Sequence, residues 1–261
     1  MASNFKGPRQ ALRSSHERLA RNVSAMTSAD AEHASYCKDW TVAQVLSHLG
    51  SGGEIGLLLF TAALAGEPIP GRDQFEPIWD KWNKRSASEV TDAVVGADRA
   101  YLDALESASD DTLESLRVPM MGRELDADAL ITMRLGEHAL HLWDIEVVKD
   151  DTSAVQREAV EQLIDRTPAN AGRFARGERP SFRGVLELKT TGPDRRFGLD
   201  LSGDDVKLAQ DAPAGEGLVE LPAESLLRLL YGRLDPSHTP DSVRVSGPVS
   251  LDELRRLFPG F

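Results

Sequence analysis

The hydrophobic pattern of this chain changes period once, near residue 180, and that change limits the fold more than any other feature. Before it, apolar residues recur at helical spacing. After it, short stretches alternate apolar and polar residues between turn signals. A chain of 261 residues written this way predicts an α+β protein, with a helical domain over 1–177 and a small mixed α/β domain over 178–261.

The individual elements follow from spacing and capping. Leu12, Leu19, Val23 and Met26 mark a helix from Pro8 to Met26. Thr41 with Gln44 forms a capping box, Trp40 before it can act as a staple, and the helix it opens runs through Leu46 and Leu49. Gly50, Gly52 and Gly53 allow a break or kink before Ile55 to Leu64 resume the apolar pattern. Residues 66–85, with three prolines and two tryptophans, read as a long loop that serves either as a binding wall or as packing on the core. Ser86 with Glu89 opens a helix to Ala108, LRVPMMGREL reads as a hairpin, and Asp126 or Asp128 caps a helix to Val148. Thr152 to Ala175 gives a further helix. Beyond Pro180, FRGVLELKTT, RRFGLDL, DVKLAQ, GLVEL and VRVSG are strands, Pro222 to Tyr231 is a helix, and Ser250 with Glu253 caps a last one.

Charge and cysteine content narrow the function. A formal net charge of −12 argues against nucleic acid as a partner, because phosphate binding rests on Lys and Arg. The same field repels an anionic substrate, which would need a local cation. One cysteine, Cys37, excludes an internal disulfide and suits a reducing compartment. The N-terminal residues have no apolar signal core, and the run from Ile55 to Ala65 is short of the roughly 20 residues of a spanning helix. The expectation is a cytoplasmic protein without a membrane partner.

The chemistry lies on two apolar helical segments. WTVAQVLSHL carries His48, and MRLGEHALHLWDIEVV carries Glu137 and His141. Residues four apart sit about 40° apart on a helix, so Glu137 and His141 share a face. One imidazole from another helix would complete a two-His, one-carboxylate set, which leaves positions open on a divalent metal. The blander alternatives are a satisfied histidine at 48 and an ordinary i,i+4 pair at 137 and 141. Against them, both residues of the pair lie in an otherwise apolar helix, where a carboxylate needs a partner. His138 competes as a ligand, and Asp144 is placed either to orient an imidazole or to cap a backbone group. Cys37, beside Lys38, reads as a low-pKa thiol or, more simply, as a small core or loop residue. His16, His33 and His238 have no partners at telling spacing. No Gly-rich phosphate loop or activated nucleophile is written in the chain.

At the segments W-T-V-x-x-V-L-x-H-L and E-x-x-x-H-x-W-D the chain resembles the mycothiol-dependent maleylpyruvate isomerase family of DinB-like metalloenzymes. The resemblance implies a DinB-like four-helix bundle with a small C-terminal α/β sterol-carrier-like domain, whose ending is like LPAESLLRLLYGRLDP and VRVSGPVSLDELRRLFPGF. It implies that His48, Glu137 and His141 hold a divalent metal, zinc in the family, and that mycothiol is the co-substrate. A basic residue of the C-terminal domain serves the isomerase, and Arg233 is the match by position; the bland alternative is a surface arginine near a helix end. The partners implied are a small thiol and an electrophile. The metal chemistry suits both a cis-trans isomerase and a thiol S-transferase. Arg233 with Arg134 or Lys81 would serve an anionic substrate, and Phe75, Trp79 and Trp82 an apolar one. A non-catalytic metal- or ligand-binding protein of the same fold is the remaining reading.

Overall fold

The computed structural model describes residues 5–120, 122–211 and 214–260. The chain forms two compact units that divide between Ala154 and Val155. This corrects the boundary expected at 177.

The first unit contains α1 (Lys6–Ser24), α2 (Ser28–Glu32), α3 (Val42–Ala65), α4 (Arg72–Asn83), α5 (Ala87–Ser107) and α6 (Asp110–Ser115). A hairpin of β1 (Arg117–Met120) and β2 (Arg123–Asp126) leads into α7 (Ala127–Glu146). The four long helices form a ring of neighbours, α1 against α5 and α7, and α3 against the same two, which is the expected four-helix bundle. Leu19, Val42, Val45, Leu46, Leu49, Trp82, Val94, Leu142 and Ile145 fill part of its core. The capping boxes read from the sequence form: Thr41 accepts from Gln44 N at 3.2 Å, and Ser86 accepts from Glu89 N at 3.3 Å. Of the two candidate caps for α7, Asp126 accepts from Ala129 N at 2.8 Å.

Two local expectations change. Helix α3 runs unbroken through its glycines, which serve close approach instead of a kink. A Cβ on Gly50 would lie 2.2 Å from the Trp82 ring, one on Gly52 2.7 Å from the Arg134 guanidinium, and one on Gly53 3.2 Å from Ala97 O. Much of the loop expected at 66–85 is the helix α4, with Pro77 inside it. By length and composition α3 also resembles a membrane span, but Val45, Leu46, Leu49 and Phe60 are buried in the bundle.

The second unit begins with α8 (Arg157–Leu163), a 3₁₀ turn (Ile164–Ala169) and α9 (Ala171–Phe174), where one helix was expected. Pro168, which donates no backbone hydrogen bond, lies in the 3₁₀ turn. These segments pack on β5 (Lys207–Gln210) and α10 (Ala223–Leu230), which is why they belong to this unit. The sheet is completed by β3 (Val185–Thr191), β4 (Arg195–Asp200), β6 (Gly217–Pro222) and β7 (Arg244–Ser246), in the order β5-β4-β3-β6-β7, and α11 (Leu251–Leu257) follows. Strands β3 and β6 pair parallel and the others antiparallel. All five expected strands are present.

Candidate metal centre

His48, two turns into α3, meets Glu137 and His141 of α7. His48 Nε2 lies 2.7 Å from Glu137 Oε2, and His141 Nε2 lies 3.6 Å from the same oxygen. The two imidazole rings stand 4.8 Å apart at 72°. One donor atom from each residue falls within 4.8 Å of the others. Ligands about 2.1 Å from a tetrahedral ion stand roughly 3.4 Å apart, so small shifts of side chains accommodate one. The donor set, two imidazoles and a carboxylate, fits a divalent metal. His48 and Glu137 keep 39% and 46% of their side-chain surface exposed, which leaves a further ligand room to approach.

Glu137 and His141 hold each other in charged form. Burial pushes the Glu137 carboxyl up, but hydrogen bonds with His141 and His48 outweigh it and hold the group well below its ordinary range. Burial likewise disfavours charge on His141, yet Asp144, Cys37 and Glu137 hold its pKa well above the usual histidine value. The ring is fixed by Asp144, fully buried, whose Oδ2 lies 2.8 Å from His141 Nδ1. That contact turns Nε2 toward Glu137 and completes the carboxylate–histidine arrangement common at metal ligands.

The loop before α3 adds two neighbours. Tyr36 N donates to Asp144 O at 3.0 Å, Ser35 N donates to Trp40 O at 2.9 Å, and Asp39 adopts a φ of 63°, a sparsely populated conformation. The loop thereby sets the Cys37 thiol 3.0 Å from Asp144 Oδ2 and the Trp40 ring 5.7 Å from that of His48. Cys37 is thus neither isolated nor an ordinary loop residue.

His138, the competing ligand, is fully buried and turned away. Its Nε2 lies 2.8 Å from Asp98 Oδ1, which also accepts from Arg134 Nη2 at 2.7 Å, and Asp98 Oδ2 lies 2.7 Å from His16 Nδ1. Burial pushes His138 below the ordinary histidine value against the pull of Asp98. Burial would raise the Asp98 carboxyl, but His138, Arg134 and His16 together hold it well below its usual range. Arg134 Nη2 also donates to Leu49 O at 2.7 Å, tying α7 to the residue after His48. Arg134 therefore serves the core and not an anionic substrate, which corrects that expectation.

Lys81 pairs with Glu54, and Trp82 is buried, leaving Phe75 and Trp79 as the accessible aromatics of α4. Arg233 belongs to the second unit, just beyond α10, where its Nη1 donates to Tyr231 O at 3.0 Å. The sequence reading missed the Asp98 cluster because its members come from three helices far apart in sequence.

Residues 12–146 match the family model described as the mycothiol maleylpyruvate isomerase N-terminal domain. The fold is shared with the crystal structure of the mycothiol-dependent maleylpyruvate isomerase at 18% identity and a TM-score of 0.68. A histidine-to-alanine mutant of that name matches at 17% and 0.67, and each comparison covers 95% of both chains. No curated protein sequence matches the chain.

Proposed function

Because the chain belongs to the mycothiol maleylpyruvate isomerase N-terminal domain family, we propose that it is a metal-dependent enzyme using mycothiol, acting as a maleylpyruvate-type cis-trans isomerase. The observation that carries this reading is the convergence of His48, Glu137 and His141, from two helices, on one partly exposed point. A divalent metal held there, zinc by family resemblance, supplies Lewis acidity that keeps a thiol ionised at neutral pH.

The protein's own groups do the rest. His48 and His141 offer their Nε2 atoms, and the Glu137 carboxylate offsets positive charge between them. Asp144 holds the His141 ring so that Nε2 needs no reorientation. In the isomerisation the sulfur adds to the cis double bond of the keto acid and forms a C–S bond. Rotation about the new single bond follows, and elimination breaks the C–S bond to return the trans alkene and the thiol. Arg233 is assigned, by resemblance, as the cation that holds a substrate carboxylate.

One observation favours a second reading, a thiol S-transferase in which the adduct persists. Arg134 and Lys81 are both engaged in ion pairs, so a diacid has fewer cations to bind, while Phe75 and Trp79 offer apolar surface. Either reading carries a cytoplasmic setting, where small thiols stay reduced.

Calorimetric titration of mycothiol into zinc-loaded and metal-stripped protein tests the proposal. Binding that requires zinc, followed by turnover of maleylpyruvate, is the expected result. Zinc-dependent binding with turnover only of other electrophiles would make it a transferase. No binding to either form would overturn both and leave a non-catalytic binding protein. His48→Ala should lose zinc while keeping its helical circular dichroism; wild-type zinc content in that variant would remove His48 from the set.

A further inference from the structure

His141 presents its two ring nitrogens to two different sets of donors. Nε2 belongs with Glu137 and His48. Nδ1 lies 2.8 Å from Asp144 Oδ2 and 3.8 Å from Cys37 Sγ, and Sγ lies 3.0 Å from Oδ2. The widest of these separations is smaller than the 4.8 Å that bounds both sets, so Cys37, His141 and Asp144 form a compact trio. An ion with bonds of about 2.3 Å to sulfur and about 2.1 Å to nitrogen and oxygen needs donors roughly 3.4–3.6 Å apart, within about 0.6 Å of what is present.

We propose that Cys37, His141 and Asp144 form a second metal position, selective for soft divalent ions and sharing the His141 ring with the first. Two further observations support it. The loop that carries Cys37 is pinned to α7 at the ligand itself, through the Tyr36 N to Asp144 O bond at 3.0 Å, so the thiol is held where an ion would need it. Cys37 is only partly buried, which gives an ion a route in.

The donor sets differ in softness. A set that includes a thiolate favours cadmium, whereas two imidazoles and a carboxylate make a harder set. Binding at the second position displaces the thiol proton and the His141 Nδ1 proton, so two protons leave as a dication enters. It also takes away the hydrogen bond through which Asp144 orients His141. Soft ions in excess would therefore act on the first site through the ring the two positions share. This inference deepens the proposed function, whose first metal set it takes as given.

Cadmium titration of the full-length, metal-stripped protein tests it, read by ions bound per chain and by the ultraviolet charge-transfer band of a cadmium–thiolate bond. Wild type should bind close to two ions per chain and develop the band. Cys37→Ser should bind one and show no band. His48→Ala should keep the band while losing the other ion, and His141→Ala should lose both. A wild-type protein that binds one ion without the band, or a Cys37→Ser variant that still binds two, would overturn the second position. A band in wild type, with no ion dependent on His48, would leave the second position standing and remove the first set. The two inferences therefore fail separately.

Discussion

Replacing Asp98 by Asn removes one negative charge from the helical bundle while keeping the shape of the side chain. Asp98 is 2% exposed and faces Arg134 at 2.7 Å, His16 at 2.7 Å and His138 at 2.8 Å. Arg134 is itself 6% exposed, so the substitution strands a guanidinium with no compensating charge. Breaking a buried pair in this way costs about 3–5 kcal/mol. For a unit of this size that corresponds to a drop in melting temperature of about 6–20 °C. The sign with pH follows from the depressed Asp98 carboxyl. Its contribution is complete above the unfolded value of about 3.9 and is lost as pH falls through the lower folded value. Urea unfolding of wild type and Asp98→Asn, followed by circular dichroism at neutral pH and at steps below pH 4, measures both effects. The wild type should be more stable at neutral pH, and the gap should close in acid. A neutral-pH gap under about 1 kcal/mol, or one that does not narrow in acid, would refute the claim that Asp98 is the buried counter-charge.

Three further outcomes are expected. Gly50→Ala drives a methyl group into the Trp82 ring and should cost about 1–3 kcal/mol, read as a lower thermal midpoint; an unchanged midpoint would mean α4 gives way freely. Asp144→Asn should weaken zinc binding about 10–100-fold in a chelator competition, with the melting curve of the metal-free protein serving as the control for folding. Arg233→Ala should impair turnover of anionic substrates more than binding of the thiol. Equal loss of both would move Arg233 out of the role of carboxylate anchor.

What the sequence made legible was whatever depends on near neighbours. The capping residues Thr41, Ser86, Asp126 and Ser250 mark helix starts because they act three residues ahead. Glu137 and His141 could be paired because a helix fixes their relation; His48 was open as the third ligand from another apolar helix, and the family resemblance strengthened it. Helix α4 was hidden because its flanking prolines and glycines speak for a loop while its tryptophans carry no clear period. The glycines of α3 looked like breaks because their reason, the rings and backbone pressed against them, lies on other helices. The Asp98 cluster and the Cys37–Asp144 contact were invisible for the same reason. They join residues 36 to 107 positions apart, and no local rule spans that distance.

The order of the sheet has a consequence for how the second unit assembles. Its parallel pair lies inside the sheet and brings Leu186 opposite Gly217, across more than thirty residues of chain. The antiparallel pair β3–β4, in contrast, brings Thr190 opposite Arg195. Closing a long loop costs more entropy before any contact repays it, so the hairpin pairing forms more readily than the parallel contact. Until β6 arrives, one side of β3 offers its backbone groups to any extended chain nearby. A chain that has made the hairpin but not the parallel contact therefore carries an open strand edge of the kind that promotes association during folding.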